Sequence, residues 1–130
     1  MVSLTLEQIL QLHALVLVKD GGADGVRDVG RLEAAVSTQH QVVFGEELYA
    51  TVFAKAAALM RGIIGDHPFA DGNKRTAMLA GLTLLEVNGY NFTAQRGELE
   101  NFAVRAATKH LDIGAIADWL KRHSRDVSMV

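Results

Sequence analysis

The chain has 130 residues (14.1 kDa), 49% apolar and 22% charged, with no cysteine; this fits one soluble globular domain over 1–130 and excludes disulfides, zinc ribbons and thiol nucleophiles. Lys and Arg number 13 against 15 Asp and Glu, for a formal charge of −2 and a pI near 6.2, so there is no basic face for binding DNA. No uncharged apolar run approaches the roughly 18 residues of a membrane span, and the apolar run 12–18 follows Glu7 rather than a basic start, which argues against a secretory leader and for the cytoplasm.

Thr5 ahead of Leu6, Ile9, Leu10 and His13 predicts a capped amphipathic helix reaching about residue 19. The tract Asp20-Gly-Gly-Ala-Asp-Gly25 ends it. Its spacing brushes a calcium-loop pattern, but the third and twelfth positions are Gly22 and Arg31, which leaves a plain connection. Asp28 opens a shorter helix with Leu32, Ala35 and Val36 on one side. Residues 39–45 hold Val42, Val43 and Phe44 and form the one plausible strand, or else an extended loop. From 46 to about 64, Leu48, Val52, Leu59 and Ile63 recur at helical spacing, with Glu46 and Glu47 suited to a helix start and alanines allowing close helix approach.

Residues 65–72 break the pattern, and 73–88 resume it with Met78, Leu79, Leu82, Leu84, Leu85 and Val87, the composition of a buried central helix. Asn88-Gly89 stops it, and two further amphipathic helices, about 98–109 and 112–123, complete the chain, with Trp119 in the core. His13, His40, His110 and His123 lack metal-ligand spacing and read as solvated or capping residues. These patterns predict an all-α single-domain bundle of about six helices.

Between the two most apolar helices lies His67-Pro-Phe-Ala-Asp-Gly-Asn-Lys-Arg75. A helix connection needs a breaker and a cap, which Pro68, Asp71, Gly72 and Asn73 supply. It does not need Lys74 and Arg75 in the next helix's first turn, where cations oppose the macrodipole at about 0.3–1 kcal/mol each. An anion at that place reverses the sign: free N–H groups, a glycine and two cations make a phosphate cradle. His67 beside it suits a general base, with Pro68 restraining it to extended backbone, and Asp71 suits a Mg²⁺ ligand. Phe69 is expected to turn inward and anchor the loop. A base, a metal carboxylate and a phosphate cradle together point to transfer from a nucleotide phosphate to a hydroxyl.

This segment resembles the signature of the Fic/Doc family, His-x-Phe-x-Asp/Glu-Gly/Ala-Asn-Gly/Lys-Arg, with every defined position filled. The resemblance extends over the chain in helical order and in the place of the loop between two central helices. It implies that His67 deprotonates a hydroxyl of a target protein and that Asp71 coordinates Mg²⁺ on the phosphates of ATP. It further implies that Gly72, Asn73 and Arg75 hold phosphate oxygens while Phe69 fixes the loop from beneath. AMP-transferring members usually carry glycine where this chain has Lys74, and a second arginine where it has Met78. The death-on-curing (Doc) branch shares the lysine, which implies a toxin kinase acting on a threonine of elongation factor Tu and neutralised in trans by an antitoxin. The inhibitory pattern Ser/Thr-x-x-x-Glu-Gly/Asn is incomplete: Ser3 and Glu7 fit, but Gln8 follows. AMP transfer to a protein hydroxyl and a non-enzymatic partner-binding module are the alternatives. In Fic relatives a short hairpin or extended flap near the active loop aligns the target's main chain by strand-like pairing; residues 39–45 serve that way or pack as an ordinary loop on the helices.

Overall fold

A computed structural model describes residues 1–127. Six α-helices, α1 (Leu6–Asp20), α2 (Val29–Ser37), α3 (Val52–Asp66), α4 (Asn73–Val87), α5 (Arg96–Thr108) and α6 (Ile113–Arg122), form the bundle. Two short antiparallel ribbons accompany it: β1 (Val42–Val43) with β2 (Glu46–Glu47), and β3 (Tyr90–Phe92) with β4 (Ser124–Asp126). Among these residues no helix is long and apolar enough to cross a membrane.

Local chemistry sets most of the helix starts. The side chains of Thr5, Asp28, Thr51 and Asp112 each accept a backbone N–H from the first turn of α1, α2, α3 and α6, satisfying donors that the helix itself leaves unpaired. Helix α3 is the centre of the bundle: Ala56, Ala57, Leu59, Met60 and Ile63 are fully buried, and α2, α4, α5 and α6 pack around it. Close approach to α2 depends on Gly62, where a Cβ would meet the Ala35 Cβ at 2.9 Å. Helix α4 lies against α3 and buries Ala77, Met78, Ala80, Leu84 and Leu85, but Val87 reaches solvent. The hub is therefore α3 rather than α4. At the far side Trp119 of α6 is buried and stacks on Phe102 of α5, centroids 3.9 Å apart and 7° from parallel. His123 caps α6, its ring Nδ1 2.7 Å from the Trp119 carbonyl.

Three expectations need correction. Helix α3 begins at Val52 under the Thr51 cap, not at residue 46. Glu46 and Glu47 instead form β2, paired with Val43 and Val42, and Leu48 is exposed. The turn of this hairpin, Phe44 and Gly45, has φ of 51° and 79°, the left-handed pair that tight hairpins need, so Val42 and Val43 are one arm of a short hairpin rather than a lone strand, while Gln39 before them is buried against α3. Phe44 stands fully exposed at the tip. The ribbon β3–β4 was absent from the expectations: three residues after Asn88-Gly89 pair with three near the chain's end, in the register Tyr90↔Asp126 to Phe92↔Ser124.

Lys55, nearly buried on α3, ties the hairpin to the bundle by donating to the Gln39 carbonyl at 2.6 Å and to Glu47 Oε1 at 2.9 Å. The Lys55 hydrogen bond, then its charge, hold the Glu47 carboxyl below the ordinary glutamate range. A depressed folded pKa means that the unfolded chain takes up the proton first on acidification. The pair's stabilisation is thus present above the unfolded pKa and is lost as pH falls through the folded one. Urea midpoints from about pH 6 to about pH 3.5 should fall less steeply in Glu47→Gln than in the wild type; parallel profiles would show that the pair adds nothing.

Candidate active site

Helix α3 ends where His67 turns left-handed (φ 47°, ψ 56°) and returns its N–H to the Ile63 carbonyl at 3.3 Å. The expectation of extended backbone at His67 fails here. The following proline disfavours the right-handed helical region, and the chain escapes that region through the left-handed cap rather than by extending. The result reverses the chain at once and leaves the side chain of His67 exposed at the rim of a cleft.

The rest of the loop is pinned by backbone groups. The carbonyl of buried Pro68 accepts the N–H groups of Arg27 (2.7 Å) and Asp28 (3.0 Å), and Ala70 donates to the Gly25 carbonyl at 3.0 Å. Phe69 is fully buried and bridges to Val26. The Asn73 amide clamps it: Oδ1 accepts the Phe69 N–H and Nδ2 donates to the Phe69 carbonyl, both at 3.0 Å. From α1, buried His13 stacks on Phe69, centroids 3.8 Å apart and 8° from parallel, with its Nε2 2.8 Å from the Asp71 carbonyl.

Gly72 (φ 78°) leads into α4 with no capping side chain, so the first turn of α4 opens toward solvent with Lys74 and Arg75 exposed on it. Asp71 is also exposed. Its Oδ1 accepts the Gly72 N–H at 2.9 Å and its Oδ2 the Ala23 N–H at 3.3 Å. A carboxylate has about four lone-pair sites, so acceptor capacity remains. Arg75 Nη1 pairs with Asp20 Oδ1 at 3.0 Å.

A cleft of about 450 Å³ brings together His67, Asp71, Gly72, Asn73, Lys74 and Arg75, with Asp20, Gly21 and Gly22 as its opposite wall. Phe69 is not in the lining; it lies beneath. The cleft runs into an apolar groove of about 500 Å³ between α1, α4 and α5, where Leu15, Met78, Leu82 and Val104 face each other. Among the described residues no group of three or more His, Asp and Glu gathers to hold a metal.

Two contributors escaped the sequence reading. His13, read as solvated or capping, is on the buried stripe of α1 with Ile9 and Val16; a polar residue at that spacing was the available signal. The connection 20–25 also does more than join two helices: its first three residues, Asp20, Gly21 and Gly22, wall the cleft. A Cβ at Gly22 would lie 2.8 Å from Asp71 Oδ2, and its φ of 120° is strained for any other residue. Gly22→Ala should therefore lower stability by about 1–3 kcal/mol in urea denaturation, whereas Gly30→Ala, at a helical position whose Cβ has only a 3.5 Å neighbour, should be neutral or stabilising by up to about 1 kcal/mol. Equal effects would dissolve the claimed contact.

Comparison with known proteins gives the same loop a lineage. The model of the Fic/DOC family matches residues 3–85. The toxin Doc of Mycolicibacterium smegmatis is 38% identical over 99 residues, covering 75% of this chain and 76% of that one. The protein kinase doc of Escherichia phage P1 is 33% identical over 116 residues, 89% and 90% of the two chains. The family match takes in α3, the loop after it and α4 as far as residue 85, and the chain belongs to the Fic/DOC family.

Proposed function

We propose that this protein is a Doc-type toxin kinase, which moves the γ-phosphate of ATP to a threonine hydroxyl of a translation factor, elongation factor Tu, in the cytoplasm and so arrests translation. The observation that carries the reading is the uncapped first turn of α4, with Lys74 and Arg75 exposed on it and His67 and Asp71 on the same cleft. The kinase name of the phage relative lends it further weight.

Each residue then has a definite task. The N–H groups of the α4 first turn, together with Lys74 and Arg75, hold phosphate oxygens. Gly72 lets the phosphates approach the backbone, and Asn73 keeps the loop in shape through Phe69. Asp71 fits a Mg²⁺ ligand because its exposed oxygens keep free lone pairs, and Mg²⁺ commonly takes one or two carboxylates beside substrate phosphates. When bound, that ion neutralises charge developing on the phosphates. His67 takes the proton of the acceptor hydroxyl as the hydroxyl oxygen bonds to the γ-phosphorus, the bond to the ADP oxygen breaks, and the proton passes on to solvent.

Lys74 also favours phosphate over AMP transfer. It is exposed on the cleft where an AMP-transferring site has glycine, and Met78, at the place of a second arginine, is buried against the apolar groove. Control would come in trans from an antitoxin, since the cis-inhibitory pattern stops at Gln8 and Met78 offers no cation for its glutamate.

The full chain incubated with ATP, Mg²⁺ and elongation factor Tu should add roughly 80 Da to the target, against roughly 329 Da for AMP transfer. His67→Ala should lower the rate by at least about 100-fold while nucleotide still binds. A gain matching AMP would replace the reading with adenylyl transfer. Unaltered toxicity of His67→Ala, with no mass gain on any target, would leave a partner-binding module.

A further inference from the structure

We infer that His13 is a positioning residue for the metal–nucleotide end of the cleft: through one hydrogen bond it fixes the backbone from which the Asp71 carboxylate projects. The inference rests on the nucleotide-transfer reading above and adds to it a residue outside the signature loop.

His13 sits in the third turn of α1, far from the loop in sequence, and is only 4% exposed. A histidine on the buried face of a helix needs a reason, since an apolar residue would pack there without an N–H to satisfy. Its reason is the Asp71 carbonyl, 2.8 Å from Nε2. A carbonyl only accepts, so Nε2 carries the hydrogen. The ring meanwhile lies flat on Phe69, the loop's buried anchor. One side chain thus holds both the fixed base of the loop and the peptide group at its exposed end.

The Asp71–Gly72 peptide has little other support from the helices. On the side of the Gly72 α-carbon, a Cβ would first meet Val16 Cγ1 at 3.4 Å and then the His13 ring at 3.8 Å. Val16 and His13 are therefore the floor under the left-handed turn at Gly72. Asp71 reaches outward from that floor, its two oxygens steadied by the N–H groups of Gly72 and Ala23. Without the His13 N–H the Asp71 carbonyl loses that hydrogen bond and the turn is free to rotate about the peptide, which carries the carboxylate with it. Residues that orient a metal ligand from behind typically matter about 10–100-fold in metal affinity.

Two variants separate the hydrogen bond from the packing. His13→Phe keeps a flat ring on Phe69 and removes the donor; His13→Gln restores a donor at comparable reach without the aromatic stack. Binding of ATP to the full chain would be measured by calorimetry with Mg²⁺ and again in excess EDTA, beside amide hydrogen exchange at residues 70–73. His13→Phe should weaken ATP binding about tenfold with Mg²⁺ and leave the EDTA value unchanged, while His13→Gln stays within about threefold of the wild type. Exchange at Gly72 and Asn73 should rise in His13→Phe and not in His13→Gln. If His13→Phe matches the wild type in both measurements, or if both variants weaken binding equally with and without Mg²⁺, His13 is only a packing residue. A wild type that takes up no ATP but shows the exchange difference would refute the nucleotide reading while leaving the hydrogen bond's hold on the loop intact.

Discussion

The site depends on one backbone constraint, the reversal between α3 and α4 within six residues. Two left-handed residues, His67 and Gly72, make the turn, and a non-glycine residue in that region is costly unless its surroundings impose it. Here they do. The Pro68 carbonyl is held by two N–H groups from the start of α2, both backbone groups of Phe69 are held by Asn73, and the Asp71 carbonyl is held by His13. Three different elements therefore converge on three of the peptide groups between Pro68 and Gly72. Phe69, sealed beneath, converts that convergence into burial, which stabilises the loop by roughly 1.5–3 kcal/mol for a side chain of its kind. Rigid backbone and exposed side chains are the combination that a pre-organised anion site requires, because the reacting groups then lose little freedom on binding.

The same arrangement shows why the loop's residues divide their labour. Asn73 spends one acceptor site and one N–H of its amide on holding Phe69, which leaves a second N–H and a second lone pair on the side chain. His67, Lys74 and Arg75 are exposed and make no comparable ties to the loop's backbone. Asp71 lies between the two groups: its backbone belongs to the scaffold and its carboxylate to the cleft. Through that double membership Gly22, beside the carboxylate, and His13, on the backbone carbonyl, both bear on Asp71 from outside the signature loop.

Sequence periodicity made the six helices legible because each is decided locally by apolar residues at helical spacing, and Thr5, Asp28 and Asp112 marked three of their starts, whereas Thr51 was masked by the acidic pair ahead of it. The nine-residue segment 67–75 was legible for a different reason: its cations sit where a helix alone would not want them. What stayed hidden was set by distance. The three-residue strands β3 and β4 carry no periodicity of their own and form only because the chain's end returns to Tyr90. Glu46 and Glu47 imitate a helix start, and only Lys55, eight residues beyond Glu47, shows that a strand ends there. His13 and the glycine tract were read by their own neighbours along the chain, whereas their meaning lies in contacts with Asp71 some fifty residues away.

The pairing of Arg75 with Asp20 bears on how such a cleft keeps its cations without wasting them. Arg75 at a helix N-terminus opposes the macrodipole, and in the absence of an anion the chain would gain by turning it away. Asp20, at the last residue of α1, keeps the guanidinium over the cleft at 3.0 Å. The arginine side chain is 57% exposed, and pairs in such settings contribute about 0–1 kcal/mol. An arriving anion therefore competes with one weak, solvated contact and not with a buried network. A stronger clamp would have fixed Arg75 in place but withheld it from any ligand; a missing one would have left it in solvent. The strength of the contact, set by exposure more than by distance, is what makes the arginine both placed and available.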